Sequence, residues 1–239
     1  MRESYSVLSK YYDRLMSDFN YDEIASFITS NVKGKNGLEL GCGSGKISIT
    51  LALNGYDMTA MDSSEEMLNT ASKNALKKAL NVRFLVGDAT TDKLDKKFDF
   101  IVAICDVFNY MNNDGVKSAI NNAYSMLRDG GTLIFDVSTK EKLTKILGDN
   151  LYFEEYDDLS YFWQNELDEE NKKVYMDLVF FEKDASGKYI RQEEEHEQYY
   201  HEKEDILALL SPFSKVETYG EDLKKDKKGS TRLFFKAVK

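Results

Sequence analysis

Residues 37–45 read Gly-Leu-Glu-Leu-Gly-Cys-Gly-Ser-Gly, so glycines 41, 43 and 45 fall where an apolar run gives way to a helical pattern. Closely spaced glycines let a backbone turn sharply and let a ligand approach without Cβ interference. Amides at the start of the following helix can meet anionic or hydrogen-bond-accepting groups. The dinucleotide fingerprint Gly-x-Gly-x-x-Gly fails here, because its third glycine falls on Lys46. Asp62 closes a second apolar run 17 residues beyond Gly45, where an acid can accept both hydroxyls of a ribose. A third run ends in Val86-Gly87-Asp88-Ala89, where a carboxylate can meet an adenine amino group. The fourth ends in a polar and aromatic cluster, Ile104-Cys105-Asp106-Val107-Phe108-Asn109-Tyr110. Taken singly, each acid also fits a helix cap or a turn. Four such ends in register, on the edge where ligands bind in open α/β sheets, are hard to attribute to caps alone.

The elements that must position these residues alternate. LELGCG, YDMTAMD, VRFLVGDAT, FDFIVAIC and TLIFDVS read as five strands. Between them, KISITLALNG closes on Gly55, SSEEMLNTASKNALKKAL is capped by Ser63 or Ser64, and DGVKSAINNAYSMLRDGG ends on glycines; all three read as helices. Such alternation predicts right-handed crossovers and a parallel sheet covered on both faces. Residues 1–31 carry two helical patterns, with Leu8, Tyr11, Tyr12, Leu15, Met16 and Phe19 on the first. Residues 151–200 break the rhythm with three strand-like runs, LSYFWQNELD, KKVYMDLVFFEKD and KYIRQEEEHEQYYH, an antiparallel meander. KEDILALL returns to helix, and SKVETYGED and STRLFFKAVK are closing strands around the charged loop DLKKDKK. The expected fold is therefore α/β: a Rossmann-like, doubly wound, mostly parallel sheet of seven strands with helices on both faces, plus a β-meander inserted after the fifth strand.

Composition narrows the function. Lys and Arg number 32 against 42 Asp and Glu, a formal net charge of −10 across 239 residues. That balance argues against a protein built to grip phosphate backbones. With 42% hydrophobic residues the chain can bury a sizeable core. Two cysteines, Cys42 and Cys105, make no disulfide framework, and the start MRESYSVLSKYYD lacks an apolar leader segment, so a cytoplasmic location is expected. Two histidines, His196 and His201, without a Cys-x-x-Cys pair leave little material for a transition metal, and no metal is expected.

In its ordered motifs, ELGCGSG, the acid of AMDSS, GDA, the fourth-strand cluster and LRDGGTLIFDV, the chain resembles the class I S-adenosylmethionine-dependent methyltransferases over nearly its whole length. The resemblance implies S-adenosylmethionine as cofactor and S-adenosylhomocysteine as product. It places Gly41 and Gly43 beside the methionyl part with Glu39 supporting the loop, Asp62 on the ribose, Asp88 and Ala89 around the adenine, Ser63 and Met67 beside the nucleoside, and Cys105 with its backbone near the sulfonium. Finer likeness points to sugar-amine and glycine-type N-methyltransferases, which share an N-terminal YDxLM helix, here Tyr12 to Met16, folded over the cofactor. It divides the chain into an N-terminal helical lid (1–36), a cofactor-binding domain (37–150 and 201–239) and an inserted roof over the acceptor site (151–200). Some sugar-amine enzymes carry a histidine after the fourth strand where this chain has Tyr110. The Asn/Asp-Pro-Pro-Tyr signature of DNA and glutamine N-methyltransferases is absent.

Methyl transfer from a sulfonium is an in-line displacement, so alignment dominates, and an amine acceptor must first lose its ammonium proton. Tyr110 and Asp106 are the foremost candidates for a catalytic role, with Tyr12, His196 and His201 as further candidate bases. His201 also fits a helix start, and His196 a surface histidine. Tyr152, Phe153, Tyr156, Tyr161, Phe162 and Trp163 suit a cationic amine by cation–π attraction, or simply form the packed face of the meander. The expected partner is thus a small-molecule acceptor, leaning to an amine, with neither nucleic acid nor membrane involved. The alternatives are an RNA or protein methyltransferase, or a silent cofactor-binding regulator.

Overall fold

The computed structural model describes residue 5 and residues 7–226 and 229–239. The helical reading of 1–31 and the loop DLKKDKK therefore extend, at 1–4, 6, 227 and 228, outside the described residues. The chain opens with two helices, α1 (Leu8–Leu15) and α2 (Tyr21–Asn31). Then come β1 (Asn36–Leu40), α3 (Lys46–Leu53), β2 (Asp57–Asp62), α4 (Glu65–Lys77), β3 (Arg83–Val86), β4 (Phe98–Ala103), α5 (Asn113–Met126) and β5 (Leu127–Ser138). Ser64 caps α4, accepting from the Met67 amide at 3.2 Å, with Glu65 and Glu66 in the first turn complementing the helix dipole. A 3-10 turn, Val107–Tyr110, separates β4 from α5. The helix before β5 stops at Met126; the expected helical residues Leu127 to Gly131 belong to the strand, which reaches back to pair Leu127 with Phe98.

After β5 a π-helical turn (Lys142–Leu147) leads into β6 (Leu151–Glu155), β7 (Leu159–Asp168), β8 (Lys173–Lys183) and β9 (Tyr189–Tyr199). These four form their own antiparallel sheet in that order. The meander thus has one strand more than the three expected. Helix α6 (Lys203–Leu209) and strands β10 (Lys215–Tyr219) and β11 (Arg232–Val238) complete the chain. The main sheet has seven strands in the order β10-β11-β5-β4-β1-β2-β3, with β11 antiparallel to both its neighbours and the rest parallel. The expected Rossmann-like architecture is the one observed.

Strand order reverses between β1 and β4, which opens a crevice at their carboxyl ends. One face of the sheet packs Phe98, Phe135 and Phe235 against α5 and α6 through Ile120 and Ile206; the other packs Phe100 and Phe234 against Ile28 and Leu51. A third core lies under the inserted sheet, where Phe180, Leu159 and Val174 meet Leu8 and Tyr11 of the first helix and Val7 just before it. Helix α1 therefore packs on the inserted sheet, not on the main one. Trp163 on β7, the only tryptophan, is half-buried and donates from Nε1 to the Asn165 side chain at 2.6 Å. No helix among the described residues is long and apolar enough to cross a membrane.

Candidate active site

A cavity of about 960 Å³ occupies the crevice, and the carboxyl ends of β1 to β4 supply much of its wall. Its size is that of a site for a ligand larger than a single nucleoside. Gly41, Gly43, Glu39, Asp62, Ser63, Met67, Asp88, Ala89, Cys105, Tyr12 and Tyr110 all line it, so one wall gathers residues spread across a hundred positions of sequence. Of the candidate site residues, Asp106, His196 and His201 are not part of the lining.

The glycine loop is shaped by its neighbours. Gly41 has φ +64°, and a Cβ there would lie 2.6 Å from the Val107 side chain, so glycine is required by both backbone and space. Gly43, at φ +51°, would set a Cβ against only Tyr12 at 3.9 Å, and its amide is donated to Asp62 at 2.7 Å. The other Asp62 oxygen accepts from the Ser64 amide at 2.9 Å. One carboxylate thereby ties the loop after β1 to the start of α4, and burial pushes its pKa up against these hydrogen bonds. Glu39 is 2% exposed and accepts from the amide of Ser48 in the first turn of α3 at 2.9 Å and from the Ser48 hydroxyl. Burial outweighs both bonds and pushes its pKa up to about 8. Asp88 is exposed and uses one oxygen for the Thr90 amide and hydroxyl, both at 2.7 Å. Burial also holds the Cys105 thiol well above its ordinary range, so it stays protonated.

Helix α1 crosses the mouth as a strap. At one end Glu194 of β9, fully buried, accepts the amides of Val7 and, at 3.1 Å, Leu8. At the other, Asp13 takes the Ser44 hydroxyl of the glycine loop at 2.5 Å and the Asn74 amide of α4 at 3.0 Å. Tyr12 is thereby pinned beside Gly43, and Tyr5 and Tyr21 join the lining from either side of the helix. Sequence reasoning did not find Tyr5, Tyr21, Glu197 or Tyr199, the last two brought to the cavity from β9.

The candidate bases separate. Asp106 sits at φ +54° with its carboxylate turned to Arg232 at 2.6 Å and to Gln198 at 3.4 Å, away from the cavity. Tyr110 does face the cavity and keeps 38% of its surface, but burial pushes its pKa up to about 12. Near neutral pH it is a phenol, able to orient an acceptor and unable to serve as a base. His201 is buried with one ring nitrogen 2.9 Å from the Asn113 side chain and the other 3.1 Å from the Phe108 carbonyl, so it pins the 107–110 turn, in keeping with its helix-start position. His196 is not on the surface: it is 7% exposed, 3.2 Å from Glu194, and its ring meets Tyr5 edge-on at 4.9 Å. Of the roof aromatics singled out in the sequence, Tyr152, Phe153, Tyr156, Tyr161, Phe162 and Trp163, none lines the cavity. Phe153 and Phe162 instead lie against each other, 4.8 Å between centroids, and are exposed at 52% and 38%.

The comparisons agree with this geometry. A family described as a methyltransferase domain matches residues 38–131, the stretch from β1 into β5. YqeM of Bacillus subtilis (strain 168), a protein named as a methyltransferase, is 32% identical over 243 residues, covering 98% of this chain and 97% of its own. A crystal structure of an S-adenosylmethionine-dependent methyltransferase from Clostridium acetobutylicum ATCC 824 superposes with a TM-score of 0.84 at 27% identity over 95% of each chain. CalS10, an amino pentose methyltransferase from Micromonospora echinaspora, superposes at 0.75 over 100% of each chain, and at 15% identity that likeness concerns the fold. Glycine loop, strand-end acids and a relative matched from end to end together mean that this chain belongs to the class I S-adenosylmethionine-dependent methyltransferases.

Proposed function

We propose that the chain transfers a methyl group from S-adenosylmethionine to an amine on a small molecule. In this reading the methionyl part lies along Gly41 and Gly43 beside Glu39, Asp62 takes the ribose flanked by Ser63 and Met67, and Asp88 and Ala89 bracket the adenine. Tyr12 covers the cofactor, and Cys105 turns its backbone toward the sulfonium. Residues 1–36 serve as the lid, 37–150 with 201–239 as the cofactor domain, and 151–200 as the roof of the acceptor site. The fit rests on this chain's own cradle: a Cβ at Gly43 would meet only the Tyr12 ring, at 3.9 Å, and Asp62 stands at the end of β2 within the same wall. When bound, the cofactor supplies an already activated methyl group.

The observation that carries the acceptor half is that the cavity lining also includes Tyr5 and Tyr110, with ring centroids 6.1 Å apart, and Glu197 and Tyr199 of β9. Glu197 is held by Lys173 at 3.0 Å and by the Tyr199 hydroxyl at 2.8 Å, so the aromatic faces supply much of the attraction for a cation. The tyrosines would orient the nitrogen, and alignment of this kind contributes about 7–11 kcal/mol to such displacements. None of these four side chains is tuned toward the role of a base, so the acceptor arrives with its proton already lost to water. The solved neighbours named for amino-sugar methylation support an amine. The test is S-adenosylhomocysteine production across a panel of amines and hydroxyl compounds, with calorimetric titration of S-adenosylmethionine alongside. Turnover confined to amines is expected. Turnover confined to hydroxyl acceptors overturns the amine assignment, and tight cofactor binding with silence across the panel favours a regulator.

A further inference from the structure

The turn after β4 is the one place, among the described residues, where two consecutive non-glycine residues take the left-handed conformation: Cys105 at φ +70° and Asp106 at φ +54°. Each costs on the order of 1 kcal/mol or more and persists only where its surroundings impose it. Asp136 imposes it. This side chain of β5 is fully buried, and its two oxygens accept the Cys105 amide at 2.7 Å and the Asp106 amide at 3.2 Å. Successive amides curled around an anion form a nest, and here the anion is the chain's own carboxylate beneath the turn. A trans peptide sets each carbonyl opposite the amide it is bonded to. With both amides drawn to Asp136, the carbonyls of Ile104 and Cys105 are turned to the other side, and both residues line the cavity. Arg232 makes this arrangement tolerable: it contacts Asp136, lies 2.6 Å from Asp106, and is delivered by the antiparallel pairing of β11 with β5. Lys142 adds a second cation, 3.1 Å from the Ser138 hydroxyl. The ring of Phe19, from the segment joining α1 to α2, lies over the guanidinium at 5.7 Å.

We propose that the Asp136–Arg232 pair is a positioning device for the charged end of the cofactor, fixing two carbonyl dipoles toward the cavity so that the site distinguishes the cationic sulfonium from the neutral thioether left after transfer. The inference rests on the cofactor placement given above, with Cys105 beside the sulfonium. Asp136 and Arg232 touch neither cofactor nor acceptor; they act through the 105–106 turn. Loss of the pair would therefore alter how well substrate and product cofactor are told apart, more than how well the nucleoside is held, because Asp62 and Asp88 hold the nucleoside from other strands.

Calorimetric titration of S-adenosylmethionine and of S-adenosylhomocysteine into the full chain, for the parent, Asp136→Asn and Arg232→Lys, reads this directly, with a thermal melt of each variant to establish folding. An asparagine can accept one of the two amides and not both, and a lysine keeps the charge while losing the guanidinium whose Nη1 meets both Asp106 and Asp136. Expected is a loss of about tenfold in S-adenosylmethionine affinity with a change of no more than about twofold for S-adenosylhomocysteine. A parallel fall for both ligands, or no change in either, overturns the inference and leaves the pair a purely structural one. Should Asp136→Asn fail to fold, Arg232→Lys reads the same ratio, and should both fail, the pair serves the fold and the inference falls. A parent chain that binds neither ligand overturns the cofactor placement itself, which is a different result.

Discussion

Glu39 and Asp62 bring carboxylates into the crevice wall, and each holds the backbone that forms it. Glu39 has an ordinary value of 4.5 and a folded value of about 8, so between those limits the folded chain binds a proton that the unfolded chain releases. Its contribution to stability is present at acid pH and is lost as pH rises toward 8. Urea unfolding between pH 5 and 8 should show a falling stability that Glu39→Gln flattens. At Asp62, substitution by Ala removes the acceptor for two amides, so a loss of about 1–3 kcal/mol in stability is expected together with a fall of more than tenfold in cofactor affinity, read by melting and calorimetry. Tyr110→Phe should lower kcat/KM for the acceptor by about tenfold at saturating cofactor. The pH dependence should follow the acceptor's own amine in both proteins, rising as it deprotonates, because the phenol does not titrate below pH 10. At this scale Glu39, Asp62 and the glycines were legible because each sits within a few residues of a strand end whose pattern announces it. Asp136 and Arg232 were not: they are 96 positions apart, and nothing local marks an acid inside an apolar strand as the support of a different strand's turn.

Among the elements, α1 shows how a short helix is held by groups from two sheets. Eight residues are too few to be stable alone in water. The helix depends on the apolar contacts of Tyr11 and Leu15 with the inserted sheet and on capping of its first amides by Glu194. Glu194→Ala should cost about 2–4 kcal/mol, since it strips the acceptor from two amides and leaves His196 without its carboxylate. Limited proteolysis should then cut near residues 8–20 sooner than in the parent, and S-adenosylmethionine should restore protection in part. Arg14→Ala, by contrast, removes a pair with Asp158 at the surface and should change stability by less than about 1 kcal/mol. The helical spacing of Leu8, Tyr11 and Leu15 made α1 visible in the sequence, and 151–200 read as a meander, but nothing local marked the one as the packing partner of the other. Strand β6 was overlooked because LYFEE, followed by an acidic turn, lacks the alternation of a half-buried strand; it is an edge strand with four of its five residues exposed. The early end of α5 has a similar cause, as residues 127–131 join the sheet only through pairing with Phe98 and with the last strand.

In the molecule as a whole, three apolar cores divide the labour, two on the faces of the main sheet and one beneath the inserted sheet. Asn109 joins the parts, donating its side-chain amide to the Ser138 carbonyl at 3.0 Å and the Tyr199 carbonyl at 2.8 Å, so the end of β5 and the end of β9 are fixed to one buried residue. Phe135→Ala, which vacates the space between Phe108 and Phe235, should cost about 3–5 kcal/mol and loosen the crevice with the rest of the main sheet. Phe180→Ala should cost a similar amount, taken from the core that α1 shares. The net charge of −10 belongs to this scale too. Many of its acids lie in 151–200, yet Glu194 caps the strap, Glu197 is shared with Lys173 and Glu182 accepts from Gln192, so much of that acidity is tied into the inserted sheet's own bonding. Trp163, the lone indole, stands in that same sheet. Its fluorescence reports on β6–β9 and leaves the seven-stranded sheet dark, whereas far-ultraviolet dichroism sums over both. Overlaid denaturation curves from the two signals would mean one cooperative unit, and an earlier fluorescence midpoint in Phe180→Ala would show the roof and its strap coming away first, with the cofactor fold still standing.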